Sequence, residues 1–162
     1  MPAIDTTSTD TRVNLATLAS YLESLPEDYA EFEMESFLDA DLYDETNQKV
    51  VKQYLLANGG VASCGTSACA VGHGPAAGLF FKADEIVLDY DDELLPKWRD
   101  YMRRVFGISG CGCGFDFMFG SNWSDVDNTV HGAAARIRYY LAEGAPDENP
   151  WDTERYAKYR VV

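Results

Sequence analysis

Between Val13 and Gln48 the chain has neither lysine nor arginine, and over its whole length 13 Lys and Arg stand against 27 Asp and Glu. The resulting net charge of −14 repels phosphate backbones, so direct nucleic-acid binding is not expected. The same sign opposes docking on anionic membrane surfaces. No apolar run approaches the roughly 18 to 20 residues that a membrane helix needs, so no membrane association is expected. The first ten residues, MPAIDTTSTD, lack a basic stretch and an apolar stretch and do not read as a signal peptide. Four cysteines in 162 residues are too few for a disulfide scaffold, which points to reduced thiols in a cytoplasmic protein. No G-x-x-x-x-G-K-[ST] or strand-linked G-x-G-x-x-G pattern occurs, so no nucleotide site is indicated. Internal repeats are also missing.

What is present is the material of a core. Hydrophobic residues make up 46% and aromatics 13% of the chain, which excludes a disordered or low-complexity protein. A chain of 162 residues suits one domain and hides roughly 70% of its unfolded surface on folding. The expected organisation is a flexible lead-in over residues 1–10 and one globular domain over 11–162.

Helical spacing dominates. Asp10 or Thr11 is placed to cap a helix in which Leu15, Leu18, Ala19, Leu22 and Leu25 recur on one face, with Pro26 ending it. Phe32 and Met34 alternate with Glu31, Glu33 and Glu35, a period-2 signal for a minor strand near Phe32–Phe37. A further helix is read over residues 48–58, stopping at Gly59-Gly60. Thr66 or Ser67, and then Pro75, are placed to start short helical segments in a tightly packed stretch of small residues. DEIVLDYDDELLP reads as an acidic loop or short strand. Trp98, Tyr101, Met102, Val105 and Phe106 mark the clearest helix. The glycine-rich stretch from Gly107 to Gly114 reads as a loop leading to a short apolar segment. The last firm helix starts near Asp127 or Asn128, carries Val130, Ala134, Ile137 and Leu141 on one face, and ends at Gly144. The tail allows one more turn around Tyr156 and Tyr159. The fold class is therefore mainly α: a compact single-domain helical fold with at most a minor β element.

The densest chemistry is Cys64, Cys69 and His73, with Cys111, Cys113 and His131 elsewhere. C-x4-C-x3-H plus C-x-C supplies the soft ligands that Zn²⁺ takes, and the candidate metal ligands are Cys64, Cys69, His73, Cys111 and Cys113. The spacing is not that of a standard finger. In a catalytic reading Cys64 or Cys69 lies near a helix N-terminus, where the dipole stabilises a thiolate, with His73 or His131 as base and Asp127 or Asn128 orienting it. The segment around Cys64 and Cys69 is loosely similar to the nucleophile region of papain-like proteases, but its spacing differs and that family's downstream His and Asn context is not recognisable. The simplest reading makes these cysteines small buried hydrophobes and His73 a hydrogen-bonded histidine near a helix end, with no cofactor required.

The second feature is the acidic run. Ten carboxylates fall between Glu23 and Glu45, and six more between Asp84 and Glu93. Duplex DNA carries about one charge per 1.7 Å of axis, so a clustered acidic face of this density imitates it. Such a face also steers quickly onto a basic protein. The candidate binding residues are Glu23, Glu27, Asp28, Glu31, Glu33, Glu35, Asp39 and Asp41. The plainer account is an acidic surface that keeps the protein soluble.

Four stretches in order, NLATLASYLESLP with the nearby FEM, CGTSACAVGHGPAAG, Trp98 through the RVFG of residues 104–107, and DNTVHGAAARI, together resemble a group of small uncharacterised proteins of bacteria, prophages and phages. Their shared element is C-G-T-x-A-C-x-x-G-H, here Cys64 to His73. Cys111 and Cys113 fall outside that pattern. The resemblance spans most of residues 14–144 and implies a phage or prophage setting, with no activity attached. The function expected is stoichiometric binding to a host protein with a basic surface, as a nucleic-acid mimic or counter-defence inhibitor in the host cytoplasm. The alternative is a small cysteine-dependent enzyme or metal-supported domain centred on Cys64, Cys69 and His73.

Overall fold

A computed structural model describes residues 4–29, 32, 70–88, 94–96, 98–108, 113–120, 123 and 127–145. The architecture is mainly helical, as the sequence spacing predicts. Helix α1 spans Thr11–Ser24, and the Asp10 carboxylate accepts from the amides of Arg12 and Val13, which places the cap at the first of the two expected positions. Leu15, Leu18, Ala19 and Leu22 are buried at i, i+3, i+4 and i+7. Leu25 is already extended, and Pro26 cannot continue the ladder.

Three short 3₁₀ turns follow, Val71–His73, Pro75–Ala77 and Ala83–Glu85. The middle one has Pro at its first position and closes on Gly78 at φ 86°, a left-handed geometry that glycine adopts without strain. A side chain there would also meet the Thr6 hydroxyl at 2.6 Å, because the segment before α1 crosses at this point. Thr6 N donates to Gly78 O, Thr7 Oγ1 donates to the same carbonyl, and Phe80 N donates back to Thr7 Oγ1. The lead-in is thus hydrogen-bonded to the domain from Thr6 onward. Composition marks those residues as polar without showing that their hydroxyls have backbone partners more than 70 positions away.

The β content is an antiparallel pair, β1 (Ile86–Leu88) and β2 (Leu94–Pro96), in register Ile86↔Pro96, Val87↔Leu95 and Leu88↔Leu94. It lies in the stretch read as an acidic loop or short strand. Phe32 makes an isolated bridge, and the rest of the expected strand, residues 33–37, lies outside the described residues, as do the helix read over 48–58 and the tail after 145. Helix α2 (Trp98–Phe106) buries Tyr101, Met102, Val105 and Phe106 as its spacing dictates. Helix α3 (Cys113–Phe119) occupies the short apolar segment. Helix α4 (Val130–Glu143) is capped by Thr129, whose hydroxyl accepts from Gly132 N, and ends at Gly144 with φ 79°.

Helix α1 lies against α4 and α2, and α3 lies against α4. The core between them is unusually ring-rich. Phe81 stacks on Tyr101 at 4.0 Å and 7°, and Trp98 meets both rings edge-on. Phe117 meets Trp123 edge to face at 6.1 Å. Each such pair adds about 0.5–1.5 kcal/mol beyond its buried area. The Tyr101 hydroxyl donates to Leu79 O at 2.6 Å, so the buried phenol is satisfied. No helix among the described residues is long and apolar enough to cross a membrane.

Candidate binding surface at the end of the first helix

Both histidines of the chain converge on the stretch where α1 ends and the acidic run begins. His73 closes the first 3₁₀ turn, in a stretch of small residues. Its ring is 1% exposed and faces Tyr21 at 6.5 Å, Tyr29 at 5.6 Å and Phe32 at 5.6 Å. These three aromatics bracket Glu23, Glu27 and Asp28. His131, in the first turn of α4, approaches Leu25 O through Nε2 at 2.8 Å. A carbonyl only accepts, so Nε2 carries a proton and serves one of the orphan carbonyls at the end of α1.

Two turns further along α4, the Arg138 guanidinium takes both oxygens of Glu23, each at 3.0 Å, and donates to Ser20 Oγ at 2.8 Å. The hydrogen bond from Arg138 lowers the Glu23 pKa against the opposing effect of burial, and Glu23 raises that of Arg138. Both side chains are more than 40% exposed, so solvent screening keeps this pair weak. Arg138→Ala is expected to cost less than about 1 kcal/mol in urea unfolding at neutral pH. A carboxylate with a lowered folded pKa stabilises above its unfolded pKa and loses that contribution as pH falls through the folded value. The difference between the two proteins should therefore vanish in acid.

Of the expected binding residues, Glu23 is therefore held by Arg138, whereas Glu27 and Asp28 are exposed and in no ion pair among the described residues. Glu31, Glu33, Glu35, Asp39 and Asp41 lie outside the described residues.

The cysteine constellation is only partly in view. Cys64, Cys69 and Cys111 lie outside the described residues, and Cys113 opens α3. Among the described residues no group of three or more His, Cys, Asp and Glu is placed to hold a metal ion. Asp127, expected to orient a histidine, accepts from the Thr129 hydroxyl at 2.6 Å and lies 3.6 Å from Arg136 Nη1.

Arg136 is the residue that sequence reasoning misses. Its side chain is fully buried, with its guanidinium carbon 4.0 Å from the centre of the Trp123 ring. Nη1 reaches Asp127 O at 3.4 Å, while Nε and Nη2 have no hydrogen-bond partner among the described residues. Desolvation lowers its pKa to about 9, and the Asp127 charge works against that fall. The only sequence signal is its position six residues after Val130 and three after Ala133, on the apolar side of α4.

Comparison of the chain with protein-family models, with curated proteins and with solved structures returned no match.

Proposed function

We propose that this chain is a small phage- or prophage-type accessory protein that acts stoichiometrically, binding a host protein through its acidic surface in the host cytoplasm. It would occupy a basic site at which that host protein normally holds nucleic acid. The observation that carries this reading is the charge arrangement at the end of α1. Within a stretch that has no Lys or Arg from Val13 to Gln48, the ten carboxylates between Glu23 and Glu45 begin at a helix end gripped by His131, Arg138 and the rings around His73. Anchoring of the helix end that carries Glu23, Glu27 and Asp28 lowers the ordering cost of association, and the like sign of the run steers encounter with a basic surface.

The cysteine-centred alternative has less geometric support. It needs the His73 ring to reach a substrate or an ion, and that ring is enclosed by three aromatics.

Glu27→Lys with Asp28→Lys is the direct test, because both residues are exposed and substitution there should alter stability by no more than about 0.5 kcal/mol. Immobilised wild-type chain is expected to retain a protein from nuclease-treated bacterial lysate at low salt, and added duplex DNA to displace it. The double variant should bind that protein at least about tenfold more weakly, since two desolvated charge contacts are reversed. Equal retention by the folded variant would overturn the reading.

A further inference from the structure

A cleft of about 350 Å³ opens where the segment before α1 crosses the chain after Gly78, and its lining includes Asp5, Ser8, Thr9, Phe80, Lys82 and Arg104. That volume falls at the small end of the range occupied by small-molecule sites. The cleft is independent of the acidic surface, and its chemistry is of the opposite kind. Arg104 donates through Nε to both oxygens of Glu85 at 3.1 Å and through Nη2 to Phe80 O at 2.8 Å. Glu85 is itself 5% exposed and accepts from Lys82 N at 2.8 Å. The guanidinium is therefore locked in orientation before any ligand arrives, with Nη1 the one nitrogen that meets no acceptor among the described residues.

Apart from Asp5, the remaining polar groups with capacity to spare are donors as well. Lys82 is exposed and in no ion pair among the described residues. Ser8 Oγ accepts from Asp10 N, which leaves its proton uncommitted, and Thr9 makes no hydrogen bond among the described residues. Asp5 is the one carboxylate in the lining, and its Oδ1 accepts from Thr7 N. The lining thus combines two cations, two hydroxyl donors and the Phe80 side chain.

We propose that this cleft binds a small phosphomonoester carrying a planar apolar group. Three terminal oxygens bearing up to two charges match four donor groups better than the two oxygens of a carboxylate. The fixed guanidinium takes one oxygen, Lys82 and the hydroxyls of Ser8 and Thr9 take the others, and the apolar part lies on Phe80. The Asp5 carboxylate disfavours a second phosphate, so the ligand is a monoester and not a diphosphate.

Phenyl phosphate, inorganic phosphate and benzoate, titrated at constant ionic strength into the ¹⁵N-labelled chain, test this. Phenyl phosphate is expected to give saturable shifts of the Thr7–Thr9 and Phe80–Lys82 amides, with inorganic phosphate weaker at the same amides and benzoate weakest. Lys82→Ala should weaken phenyl phosphate binding about tenfold with the spectrum otherwise preserved, Thr9→Val should weaken it severalfold, and Arg99→Ala on exposed α2 surface should leave it unchanged. Absence of saturation in the millimolar range, tighter binding of benzoate, or undiminished binding by both Lys82→Ala and Thr9→Val would overturn the proposal.

Discussion

Asp127→Asn is expected to destabilise the fold by about 3–5 kcal/mol, the range for breaking a buried ion pair from one side. The variant keeps the shape of the side chain and removes the carboxylate charge 3.6 Å from a guanidinium that is otherwise out of water. Arg136→Met in the same background should restore most of the loss, because the Trp123 face then meets an apolar chain of similar reach and no charge remains buried. Gly132→Ala gives an independent approach to the same pair. Helix propensity alone favours Ala by about 1 kcal/mol, yet a Cβ at this position would overlap the Asp127 carboxylate. The substitution is therefore expected to destabilise, against its propensity.

The pH dependence has a defined sign. Burial lowers the folded pKa of Arg136 to about 9, well below its ordinary value, so above about pH 9 the unfolded chain binds more protons than the folded one. The penalty for burying the charge is fully present below about pH 9 and is relieved as pH rises above it. Urea unfolding of wild type and Asp127→Asn should show their difference narrowing between neutral pH and about pH 10. A difference within about 0.5 kcal/mol at neutral pH would contradict the assignment.

His73→Ala is expected to be of comparable size, about 3 kcal/mol, since it empties a space lined by Tyr21, Tyr29 and Phe32. His73→Phe keeps a ring against those three and should lose distinctly less. Because Tyr21 and Tyr29 stand on either side of Glu27 and Asp28 in the chain, the Ala variant should also bind the retained host protein more weakly, and the Phe variant should recover much of that binding. A catalytic base would behave otherwise: both variants would lose activity while remaining folded. Thermal unfolding and retention measured on the same two variants separate these outcomes.

The helices were legible wherever an apolar face repeats. Leu15, Leu18, Ala19 and Leu22 identify α1 together with its cap at Asp10, and Tyr101, Met102, Val105 and Phe106 identify α2. For α4 the body and the Gly144 stop are as read, while the cap is Thr129, one position beyond Asn128. Asp127, one of the two positions read for the start, lies instead against Arg136. Helix α3 has only seven residues, two turns, too short for a periodicity to separate it from an apolar loop. Beyond local pattern, legibility ends. Burial of Arg136 depends on Trp123 and Asp127 arriving from a preceding segment, and the cleft at Arg104 needs Thr7 to find Gly78. Spacing ties His73 to Cys64 and Cys69, whereas its described surroundings are aromatic rings, a tertiary fact that spacing does not carry.

Electrostatic binding through the acidic surface, as proposed, makes affinity depend on salt. The most direct measurement is the affinity of the retained host protein for the native chain as salt is raised from about 50 mM to about 200 mM, with duplex DNA as competitor. A linear fall of log affinity with log salt and displacement by DNA are expected. An affinity indifferent to both salt and DNA would contradict the proposed binding.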